Sequence, residues 1–100
     1  DNLHSFDLIN CFWEYFKKPK KGMVYNIGGG RFSNCSILEA LNMVEKLTNI
    51  SIKKRIIKTP RIGDHIWYIS NLGKFRKHYP KWKQSYNTKK IIEELLSSFQ

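Results

Sequence analysis

Glycine and proline divide this chain into segments too short for any long regular element. Pro19 and Gly22 end the first segment, Gly28–Gly30 ends the next, and Pro80 interrupts the last third. Proline removes a backbone donor and glycine loosens the backbone, so each ends the helix or strand before it. A chain of 100 residues supports one hydrophobic core. We therefore expect a single domain over residues 1–100.

Apolar side chains recur three and four positions apart in four segments, as on the buried face of a helix. Ser36 and Glu39 have the spacing of a capping box, Asn49 suits a left-handed helix end, and Asn87 suits an N-cap. The four faces are Ile9/Phe12/Trp13/Phe16, Ile37/Leu38/Leu41/Val44/Leu47, Leu72/Phe75/Tyr79 and Ile91/Ile92/Leu95/Leu96/Phe99.

Two further segments predict strands. They are Met23–Ile27, a mostly apolar run that stops at the glycines, and Ile50–Lys58, which alternates weakly and is rich in β-branched residues. Such residues fit the half-buried surface of a sheet. The alternation of helices and strands predicts a mixed α/β domain.

Charge favours an anionic partner without identifying it. Lys and Arg number 18 against 8 Asp and Glu, a net charge of +10. Nucleic acid, anionic lipid and phosphorylated small molecules all fit that charge. Lysine supplies 14 of the 18 cations, beside 12 Ile, 8 Asn and a single Ala, so a genome-wide bias in base composition explains the excess equally well.

The glycine segment Asn26-Ile27-Gly28-Gly29-Gly30, followed by Arg31, has two interpretations. Glycines let backbone N–H groups approach an anion closely, as in a phosphate cradle. The segment lacks the G-x-G-x-x-G spacing of a dinucleotide-binding loop. A plain turn and a direct ligand contact both remain open.

Arg61 is the other candidate binding residue, because Pro60 and Gly63 confine its loop and its planar fork suits phosphate. Asp64 is placed to orient it or to accept a ligand hydroxyl. The alternative is a local turn with an exposed arginine. The three histidines have no catalytic partner at useful spacing, which favours structural roles; they are His4, His65 and His78.

Other patterns carry weaker predictions. Tyr79 and Lys83 match a Y-x-x-x-K spacing, but Pro80 breaks the helix that such a pair needs, so we reject a catalytic pair. The basic and aromatic run Lys74–Lys83 suits single-stranded nucleic acid, without any known binding motif. Cys11 and Cys35 have neither disulfide nor metal spacing, and no apolar run approaches membrane-spanning length. These features predict reduced thiols, no metal, no membrane and a cytoplasmic protein.

Four blocks in the same order and spacing resemble the C-terminal part of the extended short-chain dehydrogenase/reductase family. They are His4–Leu8, Val24–Gly30, Arg61–Asp64 and Phe75–Trp82. This family contains the NAD-dependent epimerases and dehydratases of nucleotide sugars. The second and third blocks, extended to Ser36 and Trp67, are most similar to those of CDP-sugar 2-epimerases.

The resemblance implies a small substrate-binding lobe without the Rossmann-type core of the family. Arg61 would contact the diphosphate of a nucleotide sugar, preferably a CDP-sugar, and Asp64 would support its loop. Asn26 and Gly28–Gly30 would form a turn beside the cleft. NAD and the catalytic pair belong to an N-terminal lobe that we expect to be missing, so these residues hold no NAD and no catalytic residue. The face left by that lobe predicts self-association.

Two other functions stay open at this point. The same lobe occurs in 4-epimerases, 4,6-dehydratases and decarboxylases of nucleotide sugars. The charge and the interleaved aromatic residues also fit a basic module that binds nucleic acid.

Overall fold

The computed structural model describes residues 1–65 and 67–99, and in this part of the chain it contains four helices and no strand. Helix α1 spans Ser5–Lys17, α2 spans Ile37–Thr48, α3 spans Gly73–His78 and α4 spans Thr88–Ser97. The predicted mixed α/β fold is therefore wrong. The four predicted helices are confirmed.

The helix ends follow the local sequence signals. The Ser36 hydroxyl accepts a hydrogen bond from the Glu39 N–H at 3.1 Å, and the Glu39 carboxylate accepts one from the Ser36 N–H at 3.0 Å. Asn49 ends α2 with a φ of 56°. The side-chain oxygen of Asn87 accepts from the Lys90 N–H at 2.9 Å and so caps α4. These contacts confirm the predicted capping box and caps.

The predicted strands are wrong because their backbones have no strand beside them. Residues 23–27 run irregularly, with Tyr25 and Ile27 packed against the core and Val24 76% exposed. β-branched composition measures how well side chains fit a half-buried sheet, and a lone strand is not stable in water.

The second predicted strand lies almost entirely in water. Residues 50–58 form no regular element, and Ile56 and Ile57 are 68% and 75% exposed. The apolar content of this segment predicted burial that the fold does not provide.

The core is small, aromatic and centred on α3. Phe75 stacks on Tyr79 with ring centroids 4.9 Å apart and meets the edge of Trp82 at 5.4 Å. Leu72 and Cys11 complete the buried set, and all five side chains are at most 6% exposed. Edge and stacked aromatic pairs add stability beyond the area that they bury.

The buried carboxylate of Asp7 links α1 to the segment that follows Trp82. Asp7 is fully buried, and its two oxygens accept from the N–H groups of Ser85 at 2.9 Å and Tyr86 at 3.0 Å. Its carbonyl oxygen accepts from the indole N–H of Trp82 at 3.0 Å. Backbone donors repay the cost of burying this charge.

The predicted apolar face of α1 is exposed, and this expectation is wrong. Ile9, Phe12, Trp13 and Phe16 are 55% to 73% exposed, because the helix turns Asp7 and Cys11 toward the core instead. Helix α2 contacts α4 and has no buried residue.

The molecule is correspondingly flat. Its principal extents are 49 × 37 × 17 Å and its radius of gyration is 16.5 Å, against about 13 Å for a compact chain of this length. Large apolar faces therefore remain uncovered. Self-association stays a prediction.

Candidate functional site

The glycine segment makes a tight turn against the start of the chain. All three glycines are buried, whereas Asn26 is exposed. A Cβ on Gly28 would overlap the Ser70 hydroxyl, and one on Gly29 would overlap backbone carbonyl oxygens. Gly30 has a φ of +63°, which favours glycine. Close approach explains why glycine stands at each position.

Three polar backbone groups of this turn, the Gly30 N–H and the carbonyls of Gly29 and Gly30, have partners within the molecule. The Gly30 N–H donates to the Asp1 carboxylate at 2.9 Å. The Gly29 carbonyl accepts from the Gln84 amide at 2.8 Å and from the Ser33 N–H at 3.2 Å. The Gly30 N–H is thus engaged by Asp1, and all three glycines are buried. The geometry therefore favours the turn over a direct ligand contact.

Replacing Gly29 with alanine is expected to destabilise the protein by about 2 to 3 kcal/mol, because overpacking forces the backbone to move. The new methyl group would overlap the carbonyl oxygens of Asn2 and Ser33, neither of which is a flexible side-chain end. Chemical denaturation measures the change. Gly22→Ala is the control, since a Cβ there meets nothing within 4 Å. Its own positive φ of 75° adds a smaller strain, and equal losses in the two variants would contradict the account of Gly29.

Arg61 and Asp64 form a closed local turn. The Arg61 Nη2 lies 3.1 Å from Asp64 Oδ1, and the Arg61 Nε donates to Asp64 Oδ2 at 3.2 Å. The same carboxylate accepts from the Arg61 backbone N–H at 3.1 Å. Asp64 thus orients the guanidinium of a side chain that is 90% exposed. An oriented, exposed fork is able to bind a phosphate group with little loss of entropy.

A cleft of about 420 Å³ lies on the molecule, and we call it the arginine cleft. Its lining combines Gly30, Arg31 and Phe32 with Trp67, with the five residues 69–73 and with Arg76. Of the predicted site residues only Gly30 lines it. Asn26, Gly28, Gly29, Arg61 and Asp64 do not.

Sequence reasoning assigned no role to Arg76, Trp67 or Phe32. Arg76 lies inside the basic and aromatic run from Lys74 to Lys83, which is the signal that could have pointed to it. Trp67 lies in a resemblance block, and Phe32 follows the glycine turn. Their proximity depends on tertiary structure.

His78 has a structural partner, as its sequence setting predicted. The Tyr25 hydroxyl donates to His78 Nδ1 at 2.7 Å, if that nitrogen carries no proton. Burial lowers the pKa of His78, and the charges of Lys20, Lys74 and Lys77 lower it further. The imidazole is therefore neutral at pH 7.

Stability is expected to fall as the pH drops below about 6.5, the usual histidine pKa. Between that value and the lowered pKa of His78, the unfolded chain binds a proton that the folded chain does not. Stability therefore rises with pH across this window. His78→Asn, scanned by thermal unfolding, should flatten the slope, whereas His65→Asn at an exposed position should leave it unchanged. An unchanged slope in His78→Asn would remove His78 as its cause.

The remaining titratable candidates are structural. Tyr79 lies outside α3, and its hydroxyl donates to the Lys18 carbonyl at 2.8 Å. Burial, with a smaller effect of Tyr25, raises the pKa of Tyr79, the reverse of what a Y-x-x-x-K pair requires. Burial and the nearby charge of Asp7 raise the pKa of Cys11 to about 12, so its thiol is not a nucleophile at neutral pH.

A scan against protein-family models and searches of curated proteins and of solved structures find no match for this chain. Across residues 1–65 and 67–99, no helix combines the length and the apolar run that crossing a membrane requires. The family resemblance therefore remains a prediction that rests on the four sequence blocks.

Proposed function

We propose that this chain is the substrate-binding part of an NAD-dependent nucleotide-sugar epimerase and contributes diphosphate binding. Within that family the blocks from Asn26 to Ser36 and from Arg61 to Trp67 favour a CDP-sugar, as in CDP-paratose 2-epimerase. The observation that carries the proposal is the Arg61–Asp64 pair, which orients the guanidinium of an arginine whose side chain is 90% exposed. The proposal places the protein in the cytoplasm, where Cys11 and Cys35 stay reduced.

Contacts among the resemblance blocks support the proposal. The indole N–H of Trp82, in the fourth block, donates to the Asp7 carbonyl oxygen, in the first block, at 3.0 Å. The Tyr25 hydroxyl, in the second block, lies 2.7 Å from His78 Nδ1, in the fourth. The first, second and fourth blocks thus pack together, as expected if they belong to one unit.

The residues described here do not fit NAD. A dinucleotide loop needs unpaired N–H groups in a G-x-G-x-x-G turn that opens a helix. Here the Gly30 N–H is bound to Asp1, and the next helix begins only at Ile37. We therefore assign these residues to substrate binding and derive no redox step from them. In the complete enzyme, NAD would take up and return a hydride.

The proposal is tested by titrating the chain with CDP-glucose, UDP-glucose and a dTDP-sugar in a calorimeter. We expect saturable binding that is tightest for CDP-glucose and about tenfold weaker in Arg61→Ala, the low end for a charge-assisted contact. Arg55→Ala is the matched control, because Arg55 is also exposed in the same irregular segment. Circular dichroism confirms that each variant stays folded.

The outcomes separate the alternatives. Tighter binding of another nucleotide sugar would keep the family and shift the reaction toward a 4-epimerase, 4,6-dehydratase or decarboxylase. Equal affinities in Arg61→Ala and Arg55→Ala would reject the role of Arg61. Affinity only for a single-stranded oligonucleotide, falling steeply with salt, would replace the proposal with a basic nucleic-acid module.

A further inference from the structure

Helix α1 carries a continuous apolar face that is largely exposed to water. The side chains of Ile9, Phe12, Trp13 and Phe16 are 62%, 63%, 55% and 73% exposed. Their spacing places all four within a stripe about 100° wide around the helix axis. The rings of Trp13 and Phe16 stack with their centroids 5.8 Å apart. We call this stripe the α1 face.

The charges on and beside α1 leave a surplus of cations. Of its two acidic residues, Asp7 is fully buried, and Glu14 lies 3.0 Å from the Lys17 ammonium with a side chain only 17% exposed. Three exposed lysines follow directly at the C-terminal end of the helix, namely Lys18, Lys20 and Lys21. Over residues 1–65 and 67–99, none of these three lysines has a carboxylate within 4.0 Å.

An aromatic and aliphatic stripe next to unpaired lysines suits the surface of an anionic lipid bilayer. A helix with one apolar face and nearby basic residues lies in the plane of the interface and buries that face among the acyl chains. Tryptophan and other aromatic rings favour the level of the headgroups. The lack of a membrane-spanning apolar run, from which the sequence predicted no membrane, does not bear on a helix of 13 residues that lies on the surface.

Charge favours lipid over a second copy of the chain as the partner of the α1 face. Each copy has a net charge of +10, so two copies repel each other as they approach. The phosphate groups of anionic lipids attract the same charge, and each lysine close to the bilayer adds to binding. The apolar side chains gain by burial in either partner, and the charge decides between the two.

We propose that the α1 face binds the surface of an anionic lipid bilayer. Phe12, Trp13 and Phe16 enter the boundary between headgroups and acyl chains, and the three lysines after the helix contact lipid phosphates. This interaction goes beyond the proposed function and does not depend on it, because Arg61 is not part of α1 or of the segment that follows it.

The test measures sedimentation of the chain with vesicles of phosphatidylcholine alone and of equal parts phosphatidylcholine and phosphatidylglycerol. We expect binding to the anionic vesicles only, weakening as salt is added. The double variant Phe12→Ser/Phe16→Ser should bind at least about tenfold more weakly. Tryptophan emission should shift to shorter wavelength on anionic vesicles, and Trp13→Phe should still bind but lose most of that shift.

The lysines are tested by the triple variant Lys18→Gln/Lys20→Gln/Lys21→Gln. Each lysine near an anionic surface counts for about fivefold in affinity, so the triple variant should lose about 100-fold. The matched control changes three cations in the exposed segment that follows α2 and alters the net charge equally. It is Lys53→Gln/Arg55→Gln/Lys58→Gln, and it should lose far less.

A second control separates the α1 face from exposed apolar residues in general. Ile56 and Ile57 are 68% and 75% exposed, so Ile56→Ser/Ile57→Ser should bind vesicles as wild type does. Losses equal to those of Phe12→Ser/Phe16→Ser, or equal binding to neutral and anionic vesicles, would overturn the proposal. So would the absence of vesicle binding, and a concentration-dependent dimer that Phe12→Ser/Phe16→Ser abolishes would then assign the α1 face to a second copy. Circular dichroism confirms that each variant stays folded.

Discussion

Replacing Asp7 with alanine is expected to lower the free energy of unfolding by about 4 kcal/mol, since each of two lost hydrogen bonds to a charged group counts for about 1.5 to 3 kcal/mol. The change leaves the N–H groups of Ser85 and Tyr86 without the carboxylate that accepts from them. It also opens a cavity at a fully buried position. With total stabilities of about 5 to 15 kcal/mol for a domain, such a loss can remove the cooperative transition.

Two further variants keep the expectation about Asp7 measurable. Asp7→Asn retains the shape and one accepting oxygen, so its loss should fall between those of wild type and Asp7→Ala in urea unfolding. Asp64→Ala removes a carboxylate from an exposed pair and should cost no more than about 1 kcal/mol. If Asp7→Ala were no worse than Asp64→Ala, the buried carboxylate would not hold α1 in place.

Phe75→Ala is expected to cost a similar amount, about 3 to 5 kcal/mol, which is typical of removing a buried aromatic ring. Phe75 is 3% exposed and contacts three other rings, those of Tyr25, Tyr79 and Trp82. Phe75 is one of only five buried apolar side chains in the core, so replacing it removes a large share of the core contacts. The flat shape leaves few neighbours able to collapse into the space.

Phe16→Ala is the matched control for Phe75→Ala. Phe16 is 73% exposed, so the same change should alter stability by less than about 0.5 kcal/mol when measured at a protein concentration where the chain is monomeric. Denaturant unfolding of the two variants compares them directly. Equal losses would mean that the α1 face is buried in solution and that the core is not centred on α3.

The helices were predictable because their signals are local. The Ser36–Glu39 box, Asn49 and Asn87 act within one turn of the residues they cap, so the sequence alone contains the interaction. The breakers act locally as well, and α3 ends at His78, two residues before Pro80.

The strands and the face of α1 were not predictable for the opposite reason. A strand exists only beside another, and nothing in Ile50–Lys58 specifies a partner. The spacing of Ile9, Phe12 and Trp13 predicts a face that gains by burial, but the contacts of Asp7 with Ser85 and Tyr86 decide which side of α1 turns inward. Those partners lie almost 80 positions away.

In the candidate site, too, the local contacts were predictable from the sequence and the long-range contacts were not. The Arg61–Asp64 turn was predictable because the two residues are three positions apart, with Pro60 just before Arg61 and Gly63 just before Asp64. The arginine cleft was not, since Arg31 and Arg76 meet only through the fold. Local chemistry thus identified one guanidinium, and tertiary structure added two more.

The smallest dimension of the molecule, 17 Å, is less than two helix diameters of about 10 to 12 Å each. Few side chains can therefore have protein on both sides, and water or another molecule must meet the rest. Anything that binds the folded form preferentially then adds to its stability by mass action, in proportion to the logarithm of its free concentration. For so thin a molecule, the melting temperature depends on which binding partners are present, and at what concentration, as well as on the sequence.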